Sequence, residues 1–326
     1  MTVFDGSLGF SAESTYGTYV APARTVEFNS ESMVGKYDRA WSNGIRAGRT
    51  TWAENQFQPI SMGAAGSVTL NPQTKGFGLL LSHMLGSSSI GSLISGHYLQ
   101  THTVGTLYGK SLTAQINRPY TTTSAGVFSY LGCKVSSWSM SGNGIGGLVE
   151  ATLNLDARQE DTSQSLAAVA YPSAAEPFYG VSTTVTVDGS TFACNSWSIS
   201  GDNGLALDRY KIGNTAGRKD EPLETQNKTF TGQLGGADFT SLTLYNKIAS
   251  ATSAGALASI TITCLGVTDS AAALTITMPK CVLTGDMPTL NSSDLLLNQG
   301  LSFRAVQSTA GATPITITYN AVDVSI

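Results

Sequence analysis

Few residue clusters in this sequence have the types and spacing of reactive groups. Gly105-Thr-Leu-Tyr-Gly109-Lys110-Ser111 approaches a phosphate-binding loop but is one residue short of the required spacing. The run behind it, Leu112 to Ile116, alternates like a strand, where a phosphate site needs a helix N-terminus. Gly142, Gly144 and Gly147 match a dinucleotide fingerprint, yet Leu148-Val-Glu-Ala-Thr-Leu153 after them alternates too. That motif reads as a glycine-rich hairpin turn. His83 falls on a predicted helix. His97 and His102 lie five apart on a predicted strand, so they point to opposite faces and cannot chelate one metal from it. No H-E-x-x-H, Cys/His cluster or G-x-S-x-G elbow occurs. The acid pairs Glu160-Asp161 and Asp220-Glu221 sit in polar loops and read as solvated charge. The expectation is no catalytic residue, no cofactor, no metal, and hence no enzyme.

Cys133, Cys194, Cys264 and Cys281 each sit in a strand-like run and form no C-x-x-C pair, so free buried thiols are expected. The N-terminus has neither a basic nor an apolar leader region, which predicts cytoplasmic synthesis. Without a leader, the sequons Asn227-Lys-Thr229 and Asn291-Ser-Ser293 carry no weight. No run of 18 apolar residues predicts a membrane helix.

Charged residues make up 12% of the 326, about half the usual share. A surface so poor in charge suits burial against copies of itself, although a β domain with a Ser/Thr-rich exterior would look similar. Net charge is −4 with no Lys/Arg run. Tight binding to phosphates needs several clustered cations, so DNA is not expected to be gripped.

The elements that would position any site are mostly strands. Thr183–Val187, Ser259–Cys264, Leu274–Met278 and Ile315–Tyr319 alternate apolar residues with Thr. One segment has helical period instead: Phe77, Leu80, Leu81, Met84 and Leu85 share a face. Asn71 as cap, Pro72 in the first turn and Gly86 after the last apolar residue predict a helix from Pro72 to Leu85. A second helix is predicted from Asp238 to Ala249, with Phe239, Leu242 and Tyr245 on one face.

Element order repeats around these helices. Before each lie two strands joined by a long loop, in Thr25–Leu70 and Thr191–Leu234. After the first come Ser111–Asn117, Tyr130–Val135 and Leu148–Leu155. After the second come Ala273–Met278, Pro279–Val282 and Leu301–Val306. The order predicts one domain used twice, with an N-terminal arm over residues 1–24, a first domain over 25–170 and a second over 171–326. A shorter echo, Trp138-Ser-Met-Ser-Gly142 and Trp197-Ser-Ile-Ser-Gly201, reads as similar strand-to-turn geometry.

The run Leu8-Gly-Phe-Ser-Ala-Glu-Ser-Thr-Tyr-Gly-Thr-Tyr-Val-Ala-Pro22 is similar to the start of siphophage major tail tube proteins. So are Glu31-Ser-Met33, Arg46-Ala-Gly-Arg49, Gly66-Ser-Val-Thr-Leu70, Leu79-Leu-Leu81 and Tyr130-Leu-Gly-Cys-Lys-Val135, in that order. The resemblance to this family implies a mainly β chain with one short helix per domain. It implies tandem β-sandwich/barrel domains that join across subunits into a closed inner β-barrel, which leaves no open sheet edge. It implies stacked rings forming a virion tail tube, with the tape measure protein and distal tail or terminator proteins as partners. DNA passes through a neutral to acidic lumen without sequence-specific binding, and no membrane is involved. Two domains per chain point to a trimeric ring with pseudo-sixfold symmetry, a hexamer being the alternative. The two long loops and the N-terminal arm are expected to touch neighbours, through Tyr37, Arg39, Trp41, Arg46, Arg49 and Trp52 in the first loop, Asp208, Arg209, Arg218 and Lys219 in the second, and Tyr16 and Tyr19 in the arm. A baseplate hub or neck ring shares related folds and stays open as an alternative, as does a glycan-binding β module.

Overall fold

A computed structural model of the chain describes residues 5–120, 125–213, 219–239, 242–250, 252, 255–285 and 298–323. The first half holds β1 (Ser7–Glu13), β2 (Arg24–Val26), β3 (Ser30–Glu31), β4 (Val34–Trp41), β5 (Phe57–Leu70), α1 (Gly78–Leu85), β6 (Gly86–Ile94), β7 (His97–Val104), β8 (Ser111–Asn117), β9 (Val127–Asn143), β10 (Val149–Ala157) and β11 (Gln159–Asp161). The second holds β12 (Thr183–Val187), β13 (Ser190–Thr191), β14 (Ser196–Asp202), β15 (Leu205–Ala206), β16 (Leu223–Glu224), β17 (Thr229–Asp238), α2 (Thr243–Ile248), β18 (Leu257–Leu265), β19 (Ala273–Thr284), β20 (Asn298–Ala305) and β21 (Thr316–Ala321).

All described pairings are antiparallel. In the first half the N-terminal part of β9 pairs with β8 on one side and β11 on the other, and β8 continues to β1 and β2. Its C-terminal part pairs with β10, which continues to β5 and β4. The strand changes partners near Gly132, whose φ of 68° is a left-handed value that favours glycine. The second half pairs in the same way. The N-terminal part of β19 lies between β18 and β21, and β18 continues to β12 and β13. Its C-terminal part reaches β20, then β17 and β14. Irregularities coincide as well. The β8–β9 register slips opposite Tyr130 and Cys133, and the β18–β19 register slips opposite Met278 and Cys281. In both, the cysteine thiol donates to the carbonyl three residues back.

Alternation explains the core. Ala258, Ile260, Ile262 and Cys264 of β18 point inward, and the threonines between them are half-buried. Each inward Ile or Leu contributes roughly 1.5–3 kcal/mol by leaving water. The core continues through Phe10, Val68, Trp138, Leu153, Ile276 and Tyr319. All eight residues of α1 are buried. The four cysteines are free, three of them buried and Cys194 half-buried.

Several expectations change. Residues 7–13 are no free arm: they form β1, with Leu8 and Phe10 buried beside β8. The first helix begins at Gly78 rather than Pro72, because Asn71 gives its amide to the Val149 carbonyl and Gln73 bridges to Pro177. Gly86 does end it, in the left-handed conformation at φ 99°. The second helix is only Thr243–Ile248, since Asp238 closes β17. It packs Leu244 and Ile248 on the core, whereas Leu242 is exposed. Leu274–Met278 and Pro279–Val282 are one strand, β19, so the counterpart of Ser111–Asn117 is β18. The first long loop is largely a hairpin of β4 and β5. The described sheet is open, with β4 at an edge.

Candidate assembly surface

The two halves meet where the repeated Trp-Ser-x-Ser-Gly segments lie. β14 pairs along the C-terminal part of β9, with Trp197 opposite Gly142, Ile199 opposite Met140, and Gly201 opposite Trp138. Each indole covers the glycine facing it. A Cβ on Gly142 would stand 2.4 Å from the Trp197 ring, and one on Gly201 would stand 2.4 Å from the Trp138 ring. Both tryptophans are buried there. The echo seen in sequence is therefore the seam between halves. A second link runs from β21 to β7, which lies between β21 and β6.

Two arms flank this seam. Lys36 pairs with Gly63 at the base of the first, and Asp202 faces Thr229 at the base of the second. Residues 37–62 and 203–228 thus span equal lengths. Their surroundings differ. The first arm projects: Trp41 and Trp52 meet edge to face at 6.1 Å, Trp41 and Phe57 lie 5.2 Å apart, and all three are exposed. The Trp52 indole N–H donates to the Ser42 carbonyl. Arg39 and Arg46 are exposed and Arg49 is half-buried beside the tip. Tyr37 stands at the base and donates to Glu160 at 3.2 Å; desolvation first, and then the Glu160 charge, raise its phenol pKa.

The second arm folds onto the first half and holds it with buried charge. Lys219 Nζ pairs with Asp156 at 2.5 Å, both nearly fully buried. Lys134, equally buried, pairs with Glu221 and donates to the Leu107 carbonyl. Glu221 also accepts from the Gly109 amide, and Glu224 from the Leu107 amide. Burial lowers the Lys134 pKa, and the pairing with Glu221 opposes that shift. Burial raises the Asp156 carboxyl above its usual range, and Lys219 opposes it. The near-miss phosphate loop, Gly105 to Lys110, is thus a seat for protein carboxylates.

A model of the family described as phage tail tube protein matches residues 4–322. The chain belongs to that family. Tail tube proteins of this kind are structural parts of a phage tail that self-assemble into a tube, and this chain's mainly β architecture agrees. No curated protein matches the chain.

Among the residues expected to touch neighbours, this tail tube protein brings Trp41 and Trp52 together and exposes Tyr37, Arg39 and Arg46 on the same arm. Asp208 is exposed, whereas Arg209 is half-buried and donates to the Glu221 carbonyl. Lys219 is spent inside the chain, and Arg218 lies outside the described residues. Tyr16 is packed under Arg158, and the Tyr19 hydroxyl accepts from Gln115, so both serve the fold. Glu221, read from the sequence as solvated loop charge, is instead largely buried against Lys134. Lys134 and Asp156 escaped sequence reading; their only signal was charge within strand-like runs. Among the described residues no cluster of His, Cys, Asp or Glu could hold a metal ion. No described helix is long and apolar enough to cross a membrane.

Proposed function

We propose that this chain polymerises as stacked rings into a tail tube that conducts the phage genome, each chain supplying two wall units and three chains closing a ring. The units are residues 7–170, which takes in β1, and residues 171–326. The observation that carries the reading is the β9–β14 seam. It joins two halves with matching strand pairings, while β4, which holds in the first half the place of β14 in the second, has an outer edge unpaired among the described residues. An open edge invites pairing with another chain, and head-to-tail contacts that close give a ring. The tape measure protein and distal tail or terminator proteins are the partners, and DNA moves along a lumen that is neutral to acidic. Negative-stain microscopy of concentrated protein tests the class: tubes or rings are expected, and uniformly dispersed monomers would reject it. Native mass spectrometry of rings tests the count, where three chains are expected and six would overturn the two-unit reading.

A further inference from the structure

We infer that the first arm, residues 37–62, seats on the second half of a neighbouring copy of this chain, and that Arg304 of that copy meets the Trp41–Trp52–Phe57 cluster. This deepens the ring reading and rests on it. The template is the second arm, which occupies the matching seat within the chain.

Register makes the match residue by residue. Gly66 faces Leu155 on β10, and Gly232 faces Phe303 on β20. Continuing each ladder, Asp156 corresponds to Arg304. Lys134, opposite Asp156, corresponds to Val282, opposite Arg304. From the equal arms, Lys219 corresponds to Ala53, Leu223 to Phe57 and Glu221 to Asn55.

Exposure then separates the two seats. Asp156 and Lys134 are buried beneath the second arm. Arg304 is exposed and Val282 half-buried, although they hold the same register positions. Among the described residues no arm covers the second seat, and the arm that would cover it projects from the other half of the chain. The side chains have also changed together. The buried Lys219–Asp156 pair becomes Ala53 and Arg304, so the arm position that matches Lys219 places no cation against Arg304, while Arg39, Arg46 and Arg49 lie elsewhere on the same arm. The arm offers instead indole faces next to Ala53, with Glu54 beside it. A guanidinium over an indole is attracted by the ring quadrupole and gains further when water is excluded. Three exposed aromatics on one projecting arm also fit interface anchors better than solvated surface.

The test uses the full chain. Arg304→Glu should raise the protein concentration needed for half-assembly at least tenfold, and Arg304→Lys should recover part of that loss. Arg304 is exposed, so the unassembled variants should melt with the parent; this separates a lost contact from misfolding. Separately, Ala53→Cys with Arg304→Cys, in a Cys194→Ser background, is treated with a short bis-maleimide after assembly. A ladder of crosslinked chains ending at three is expected. Rings that form normally from Arg304→Glu, or rings of the double-cysteine chain that yield no ladder, would overturn the seat and leave the ring reading intact. A parent chain that never forms rings would overturn both.

Discussion

Replacing Lys219 by Met should show how the two halves are clasped. Lys219 and Asp156 are 3% and 6% exposed, and their charged atoms touch. Removing the lysine strands a buried carboxylate, which costs about 3–5 kcal/mol. Removing both charges, as Lys219→Met with Asp156→Leu, should recover most of that loss. A dry pair gains little over well-packed apolar groups once its desolvation is counted. Urea titration of the unassembled chain, read as midpoint and slope, gives each corner of the double-variant cycle. The cost should also depend on pH. Burial already raises the Asp156 carboxyl, and loss of Lys219 removes a group that lowers it. Its folded pKa then lies further above the unfolded one, so the carboxyl adds stability at low pH that vanishes as pH rises through the folded value. Lys219→Met should therefore be closer to the parent at pH 5 than at pH 7. A single variant costing under about 1 kcal/mol, or a cost that does not change with pH, would mean that the pair is solvated and the clasp unimportant.

Gly201→Val should destabilise by about 1–3 kcal/mol, because its Cβ meets the Trp138 ring and neither the ring nor the seam strands can yield; near-parental denaturant midpoints would contradict the packing. Trp41→Ala should leave the unassembled chain within about 0.5 kcal/mol of the parent, the indole being half exposed, while lowering the yield of rings seen by microscopy. Burial pushes both His83 and His102 down to about 4 from 6.5. Unfolded chains take up those protons near 6.5 and the folded chain only near 4, so stability is full above 6.5 and falls as pH drops toward 4. The loss approaches about 3 kcal/mol for each histidine. His83→Gln should flatten the slope of stability against pH between 6.5 and 4, as read by urea titrations across that range.

Strands with one buried face were legible because alternation is a local signal: Thr183–Val187 and Ser259–Cys264 fall inside β12 and β18. Gly86 was legible for the same reason, since a helix end in left-handed conformation favours glycine wherever it sits. β4 was not, because nearly all of its residues are exposed and no hydrophobic period marks a strand whose two faces meet water. Asn71-Pro72 misled because a cap signal competes with tertiary partners, and here Val149 and Pro177 prevail. The Trp-Ser-x-Ser-Gly echo was visible as a pattern. Its meaning depended on β9 and β14 lying side by side, and no local propensity encodes that. The buried lysines failed for a related reason: Lys134 and Lys219 are dry only because carboxylates remote in sequence close over them.

The seam at Trp138 and Trp197 has a consequence for how rings nucleate. Two wall units on separate chains must find each other by diffusion and give up translational freedom. Here the segment between β11 and β12 tethers them, and the seam forms at an effective concentration in the millimolar range. In the proposed ring, half of the seams would therefore form during folding, before any two chains meet. Only two encounters between chains would remain, the third interchain seam closing within the trimer, so ring formation should depend on a lower power of protein concentration than it would for six separate units.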